Sequence, residues 1–541
     1  MSVLVSLIKN LFSKKPSPQE MRAIANIEAI YEHARLEGAV AELSTNPDRA
    51  DVLFRLGVGL ELQRREDEAI KCYQKAVASD AKYYPARISL LQHMQRRCEW
   101  HDLKSDIQKL RKVVRETPIT NQNHLSPFVF LSLPGTTDAE QKRCAERYTL
   151  IEYPPHLVSS IRNQMGFDFK RVPNNKIHLG YLSEDFSDHA TSKLMAEIFE
   201  LHDRSYFHIT AYSYSQNDGS AMRKRLEKTF DSFVDILNDS HEEAAKKIYK
   251  DHTDILIDLK GYTPNTRSAI LALRPAPIQV NYLGYPGTMG ADFVDYIIAD
   301  HFIIPPEKER HYKEKVICLP DCYQPNDRSR QRLPTPPRSE CGLPEQGFIF
   351  CCFNQSYKIT PDIFAVWCQL LKAVPESSLW LLVSNPHAEI NLRWEAENHG
   401  VNPARLIMAP TIMDTEKHLA RLQCADLFLD TLPYNAHTTC SDALWMGLPV
   451  VTCAGETFTS RVAGSLLTAI GTPELITYNL DDYYRLALEL ATNGEMLATI
   501  RNKIITNRDT APLFDSERFT RNLERAYLKM MGDSGLMPTN M

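Results

Sequence analysis

Asp430-Thr-Leu-Pro-Tyr-Asn-Ala-His-Thr-Thr-Cys-Ser-Asp442 decides how the C-terminal half of this chain is read. The apolar run Ala425 to Asp430 before it reads as a buried strand, and Asp442-Ala-Leu-Trp445 reads as the entry of a helix. A strand that passes into a helix through His437-Thr438-Thr439 makes an anion site. The first N–H groups of a helix lack backbone acceptors, the helix dipole is positive there, and threonine hydroxyls add donors. The C-terminal half therefore reads as a site for a nucleotide diphosphate.

Working outward, short apolar runs alternate with helical stretches. They are Phe348 to Phe353, Leu379 to Val383, Leu406 to Met408, Leu427 to Leu429 and Val450 to Thr452. An earlier series runs through Ile177 to Ser183, Phe207 to Ser213, Ile255 to Leu259, Ile278 to Leu283 and Tyr296 to Ala299. Strands spaced by helices argue for parallel sheets with crossover connections, so two Rossmann-like domains are expected to face each other across a cleft. The Pro- and Arg-rich break Asp327 to Pro344 separates them, and the last helix, Ser516 to Met530, is expected to cross back onto the first domain.

Further upstream, Ala50 to Ala81 resembles a tetratricopeptide unit, with Leu56-Gly57 in one helix and Ala69, Tyr73 and Ala76 in the next. Its neighbours, Glu20 to Asn46 and Tyr84 to Val114, are degenerate repeats. Breakers crowd Thr117 to Thr137, which reads as linker and packing segment. The fold class is thus α + α/β: an N-terminal helix (1–20), tetratricopeptide-like helical repeats (21–115), a linker (116–174), two Rossmann-like domains (175–335 and 345–515) and a C-terminal helix and tail (516–541).

A chain of 541 residues with 43% hydrophobic content can bury several cores. A formal net charge of −6 without a Lys/Arg block argues against a nucleic-acid partner. Its 12 cysteines form no disulfide framework, which points to a reducing, cytoplasmic setting. Cys318, Cys322 and Cys341 match no zinc spacing, and no metal site is expected. Ser2 to Phe12 is apolar but falls short of the ~20 residues of a membrane span and lacks signal-peptide flanks; it reads as a docking helix, or alternatively as a helix lying on a membrane surface.

Residues just beyond strand ends carry the candidate chemistry. His189 follows the first strand in Ser183-Glu-Asp-Phe-Ser-Asp-His-Ala-Thr191, where the alternative is an exposed loop residue beside a helix capped by Asp188 or Thr191. Gln355 and Lys358, in Phe353-Asn-Gln-Ser-Tyr-Lys358, place an amide and a charge at the cleft mouth, the lysine as a point charge on a flexible stem. His418 follows a later strand. Asp442 either caps its helix or accepts from ribose hydroxyls, and Gly284-Tyr-Pro-Gly287, with Gly284 and Pro286, forms a turn able to approach a ligand. Asp-x-Asp, Gly-x-x-x-x-Gly-Lys, Gly-x-Ser-x-Gly and His-Glu-x-x-His motifs are all missing.

Six motifs in order, Gly180-Tyr-Leu-Ser-Glu-Asp-Phe-x-x-His189, Leu273-Arg-Pro-Ala-Pro-Ile-Gln279, Leu283-Gly-Tyr-Pro-Gly-Thr288, Phe353-Asn-Gln-x-Tyr-Lys358, His437-Thr-Thr439 and Gly455-Glu-Thr-x-x-Ser-Arg-Val462, resemble the protein O-GlcNAc transferase and SPINDLY family. The resemblance implies a GT-B fold and an inverting, metal-independent, cofactor-free transfer of GlcNAc from UDP-GlcNAc to Ser or Thr hydroxyls of protein or peptide acceptors. It implies that Gln355 and Lys358 contact the nucleotide diphosphate, that His437, Thr438 and Thr439 contact its phosphates, Asp442 the ribose, and His418 the base or ribose region, with His189 beside the sugar. The base that takes the acceptor's proton stays open. Tyr434 stands near a cysteine of the animal enzymes, and Leu-Pro-Tyr434 is closer to SPINDLY-type sequences, which keeps GDP-fucose as the alternative donor. Thr415 replaces a lysine of those enzymes. The other alternative is a scaffold or nucleotide-sugar sensor whose repeats bind protein partners.

Overall fold

In the computed structural model, residues 49–169 and 176–537 are described; the apolar segment Ser2 to Phe12 and the helix read over Glu20 to Asn46 lie outside the described residues. The chain divides into two compact units, one of residues up to Met94 together with His101–Ser126, the other of Gln95–Trp100 together with Pro127 onward.

The first unit is helical, with Ala50–Leu62, Glu66–Ser79, Tyr84–Arg96 and Leu103–Glu116. The first two helices pack through small residues: a Cβ on Gly57 would lie 2.4 Å from the Tyr73 ring, and Ala69 and Ala76 are fully buried. Tyr73 in turn donates its hydroxyl to Glu61 (3.0 Å).

Two parallel sheets build the second unit. The first is ordered β3-β2-β1-β4-β5-β6-β7, from β1 (Ile177–Ser183), β2 (Phe207–Ser213), β3 (Ser232–Asp235), β4 (Ile255–Asp258), β5 (Ile278–Asn281), β6 (Tyr296–Asp300) and β7 (Lys315–Leu319). The second is ordered β10-β9-β8-β11-β12-β13, from β8 (Ile349–Cys352), β9 (Ser378–Leu381), β10 (Leu406–Met408), β11 (Leu427–Leu429), β12 (Val450–Cys453) and β13 (Ile476–Thr477). Every recorded pairing in both is parallel, as in β1 with β4 (Leu179 opposite Ile255) and β8 with β11 (Phe350 opposite Leu427). All residues of β1, β4, β8 and β12 are buried, which explains why these strands read as mainly apolar runs.

Three differences from the sequence reading have physical reasons. The stretch expected as linker contains the helix Pro127–Leu131, whose Val129, Phe130 and Leu131 are buried, Leu131 in one core with Leu182, Tyr212 and Leu256 of the first sheet. After it, Asp138–Glu152, entered through a capping box at Thr137 and Glu140, packs on the first sheet, with Thr149 bonded to the Tyr262 hydroxyl (2.6 Å) and the Met289 carbonyl (2.9 Å). The helix after β11 starts at Thr438 rather than Asp442.

The last helix, Ser516–Asp533, returns to the first sheet as expected from the sequence. Glu524 Oε1 meets His202 Nδ1 (3.1 Å) and accepts from the Asp203 N–H (2.7 Å), while the Tyr527 and Tyr181 hydroxyls meet at 3.1 Å. Among the described residues, no helix is long and apolar enough to cross a membrane.

Candidate functional site

The carboxyl ends of the two sheets open onto a cleft of ≈ 860 Å³. His189, Gly284, Gln355, Lys358, His437, Thr438 and Thr439 line it together; His418, Pro286 and Asp442 lie outside its lining. The loops after β1, β2, β4 and β5 form one wall, and those after β8 and β11 form the other. That is the place where open α/β sheets leave unpaired strand ends.

On the second wall, β8 ends and Phe353-Asn354-Gln355 leads into a single turn, Ser356–Lys358. Its last residue, Lys358, lies at the cleft but is buried rather than held out on a free stem. Lys358 Nζ is buried, donates to the Asn435 carbonyl (2.9 Å) and sits 4.1 Å from the Tyr434 ring centroid. Burial holds this ammonium below the usual lysine range, opposed by the negative charge of Asp430. The Tyr434 ring also stacks at a tilt on His437 (5.0 Å between centroids).

His437 is the residue before the helix Thr438–Trp445, and its φ of −104° and ψ of −95° turn the chain into it. The first intrahelical bond is Cys440 N–H to the His437 carbonyl (3.0 Å), so the N–H groups of Thr438 and Thr439 precede it and face the cleft end of the helix. Burial, reinforced by Lys358, depresses the His437 imidazole far below its ordinary range, so it stands neutral with Nε2 toward the Thr459 carbonyl (3.4 Å). The positive character of this wall comes from Lys358 and the helix end.

Asp442 does not cap the helix. It lies one turn inside, where Arg330 Nη1 donates to its Oδ1 at 2.7 Å. His418 sits on the helix Thr415–Arg421, 5.8 Å from the Phe353 ring, and its Nδ1 accepts from Arg421. Burial, then Arg421 and Lys193, push it down to about 4, so it too is neutral. Lys193 reaches across to the Thr415 hydroxyl (3.0 Å).

On the first wall, His189 itself caps the helix Ala190–Leu201. Its Nδ1 accepts the Thr191 N–H (3.2 Å), a role expected of Asp188 or Thr191. Asp188 pairs instead with Lys193 (2.9 Å). The His189 ring stays half-exposed in the cleft, its pKa lowered by burial against the opposing pull of Asp185. A neutral ring whose Nδ1 accepts carries its proton on Nε2.

One wall residue escaped sequence reading. Lys260, just beyond β4, is buried and paired to Asp185 (3.0 Å) and Glu184 (3.2 Å), and all three line the cleft. Its signal was a lysine directly after the apolar run Ile255 to Leu259. Gly284 has an exact steric reason to be glycine, because a Cβ there would lie 2.0 Å from the Leu259 carbonyl oxygen.

Comparison with known proteins fits this geometry. The family model described as Glycosyl transferase family 41 matches residues 97–334 and 325–523. A probable UDP-N-acetylglucosamine–peptide N-acetylglucosaminyltransferase SEC of Arabidopsis thaliana is 36% identical over 82% of this chain and 46% of its own length. A probable transferase of the same kind, SPINDLY of Solanum lycopersicum, is 31% identical over 67% of this chain and 40% of its own. The chain thus spans about half the length of the curated relatives it matches. Among solved structures, a mutant of the Thermobaculum terrenum O-GlcNAc transferase superposes with a TM-score of 0.73 at 25% identity, covering 98% of both chains. The chain belongs to glycosyl transferase family 41.

Proposed function

We propose that this chain is an inverting, metal-independent protein O-glycosyltransferase that moves GlcNAc from UDP-GlcNAc to Ser or Thr hydroxyls. The observation that carries the reading is the convergence on one cleft of the buried Lys358 ammonium, the open N–H groups of Thr438 and Thr439, and His189 on the facing wall. The acceptor oxygen attacks the anomeric carbon from the face opposite the diphosphate. The bond from that carbon to the phosphate oxygen breaks, and the electron pair leaves with the diphosphate. Lys358 and the helix end stabilise that developing charge, the part of the barrier that preorganised donors lower most. Because they supply positive charge, no divalent ion is required, and transfer is expected to persist in a chelator.

The tautomer of His189 bears on the proton. With Nδ1 engaged by the Thr191 N–H, Nε2 presents a proton to the cleft. His189 is therefore arranged to donate to a sugar or acceptor oxygen, and the proton released by the acceptor passes to water or to a phosphate oxygen of the donor. Gln355, beside Lys358, is assigned to the diphosphate, and His418 to the base side of the nucleotide. The Arg330 pair at Asp442 has to open for the carboxylate to reach a ribose. Acceptor proteins bind at the open lip of the cleft, and the helical repeats are assigned to protein partners.

Tyr434 beneath Lys358 favours one second reading, GDP-fucose as donor. Calorimetric titration with UDP, GDP, UDP-GlcNAc and GDP-fucose separates the two, followed by transfer to peptides from whichever donor binds. Uridine preference with GlcNAc transfer supports the proposal; guanosine preference moves the donor to GDP-fucose, and absence of any binding overturns the enzymatic reading.

A further inference from the structure

Behind the phosphate-facing wall lies a chain of buried polar groups that the reaction above does not use. Asp430, at the carboxyl end of β11, is almost wholly buried. Its Oδ1 accepts from the N–H groups of Thr431 (2.7 Å) and Ala436 (2.6 Å) and from Asn354 Nδ2 (3.2 Å), and its Oδ2 accepts from the Thr452 hydroxyl (2.6 Å). Four donors converge on this carboxyl group, which fixes it as an acceptor. Asn354 Nδ2 also donates to the Thr431 hydroxyl oxygen (2.8 Å), whose own proton goes to the Tyr434 carbonyl (2.7 Å).

These surroundings leave the Asn354 amide one orientation. Its NH₂ faces two acceptors, so its carbonyl oxygen faces the Thr439 hydroxyl, at 2.5 Å. An amide oxygen only accepts, so the Thr439 proton points inward and its oxygen turns lone pairs to the cleft. The sequence reading counts the threonine hydroxyls as donors to a phosphate, whereas here the Thr439 proton is taken by Asn354.

We propose that Asp430 and Asn354 form a buried polarity relay that holds Thr439 Oγ1 as a hydrogen-bond acceptor for a hydroxyl of the bound nucleotide sugar, leaving the phosphates to Lys358 and backbone N–H groups. Asp430 and Asn354 are positioning residues, and Thr439 is a specificity-determining contact. The inference rests on the nucleotide-sugar reading of the cleft. Asp430 further fixes the loop from Thr431 to Ala436 at both ends, and that loop carries the Asn435 carbonyl that holds Lys358.

The pyrophosphate diester P1,P2-dimethyl pyrophosphate at neutral pH, which has phosphate oxygens and no proton to donate and leaves Lys358 protonated, tests the direction of the Thr439 bond against UDP-GlcNAc and GDP-fucose. In calorimetric competition, Thr439→Val is expected to weaken the sugar nucleotide about tenfold and leave the diester unchanged, while Thr439→Ser restores wild-type affinity. Asn354→Ala is expected to match Thr439→Val, and the double variant to be no weaker than the single ones. Equal losses for the diester and sugar nucleotide in Thr439→Val, or additive losses in the double variant, would overturn the relay. Thermal melting identifies any Asn354 variant that does not fold, in which case the Thr439 pair decides alone. A wild-type protein that binds no sugar nucleotide overturns the underlying reading instead.

Discussion

Lys358 combines two demands that oppose each other. It is buried, which favours the neutral amine, and it faces the place assigned to a diphosphate, which favours the ammonium. Its pKa lies below the lysine norm, so donor binding requires the protonated form and draws a proton onto the amine wherever it is partly neutral. UDP-GlcNAc affinity is therefore expected to be full on the acid side and to fall as pH rises through the lowered lysine pKa. Lys358→Met should be weaker throughout, with that alkaline limb removed, as calorimetry across pH would show. In the chemical step, the loss of one preorganised charge is expected to lower kcat about 10²-fold or more, measured by sugar transfer under saturating donor. His189→Gln, which keeps a donor where Nε2–H stood, is expected to retain more activity than His189→Ala; equal activity would sink the donor assignment. The two histidines of the second wall contribute no charge near neutral pH, because burial keeps both His418 and His437 neutral.

At the level of elements, the sequence carried most of the strands because buried parallel strands are continuous apolar runs. β1, β2, β10 and β11 occupy the residues expected. β3, β7 and β13 were not legible: Ser232–Asp235 mixes polar and apolar residues at a sheet edge, Lys315–Leu319 begins on a charged residue at the other edge, and Ile476–Thr477 is two residues long. The helix after β11 was placed too late because Asp442 looks like a cap, whereas its carboxylate is consumed by Arg330, which is remote in sequence. Long-range pairing of this kind, like the Lys260 pair with Glu184 and Asp185, has no local signature. Gly284 supplies a test of the turn it forms. Gly284→Ala would drive a methyl group into the Leu259 carbonyl, with an expected loss of about 1–3 kcal/mol of stability, read as a lower urea midpoint.

Across the whole molecule, the final helix ties the end of the chain to the first sheet through buried contacts. Glu524 accepts from the Asp203 N–H, meets His202 and pairs with Arg521 (2.7 Å). Glu524→Ala leaves those groups without their acceptor, and a loss of about 3 kcal/mol is expected, detectable as a lower melting temperature with unchanged nucleotide affinity in the folded protein. The chain passes between the two sheet domains twice, once near Asn326 and once near Leu513 to Ser516. These passages are bonded side by side, Asn326 Nδ2 to the Leu513 carbonyl (3.1 Å) and the Ser516 hydroxyl to the Asn326 carbonyl (2.9 Å). The domains are joined beyond these crossings as well: the Ser465 hydroxyl donates to Asp300 (2.6 Å) and Arg461 donates to the Phe302 carbonyl (2.7 Å). None of these residues lines the cleft, so a variant that breaks one of these bonds alters how the two domains are held together without touching a residue of the site.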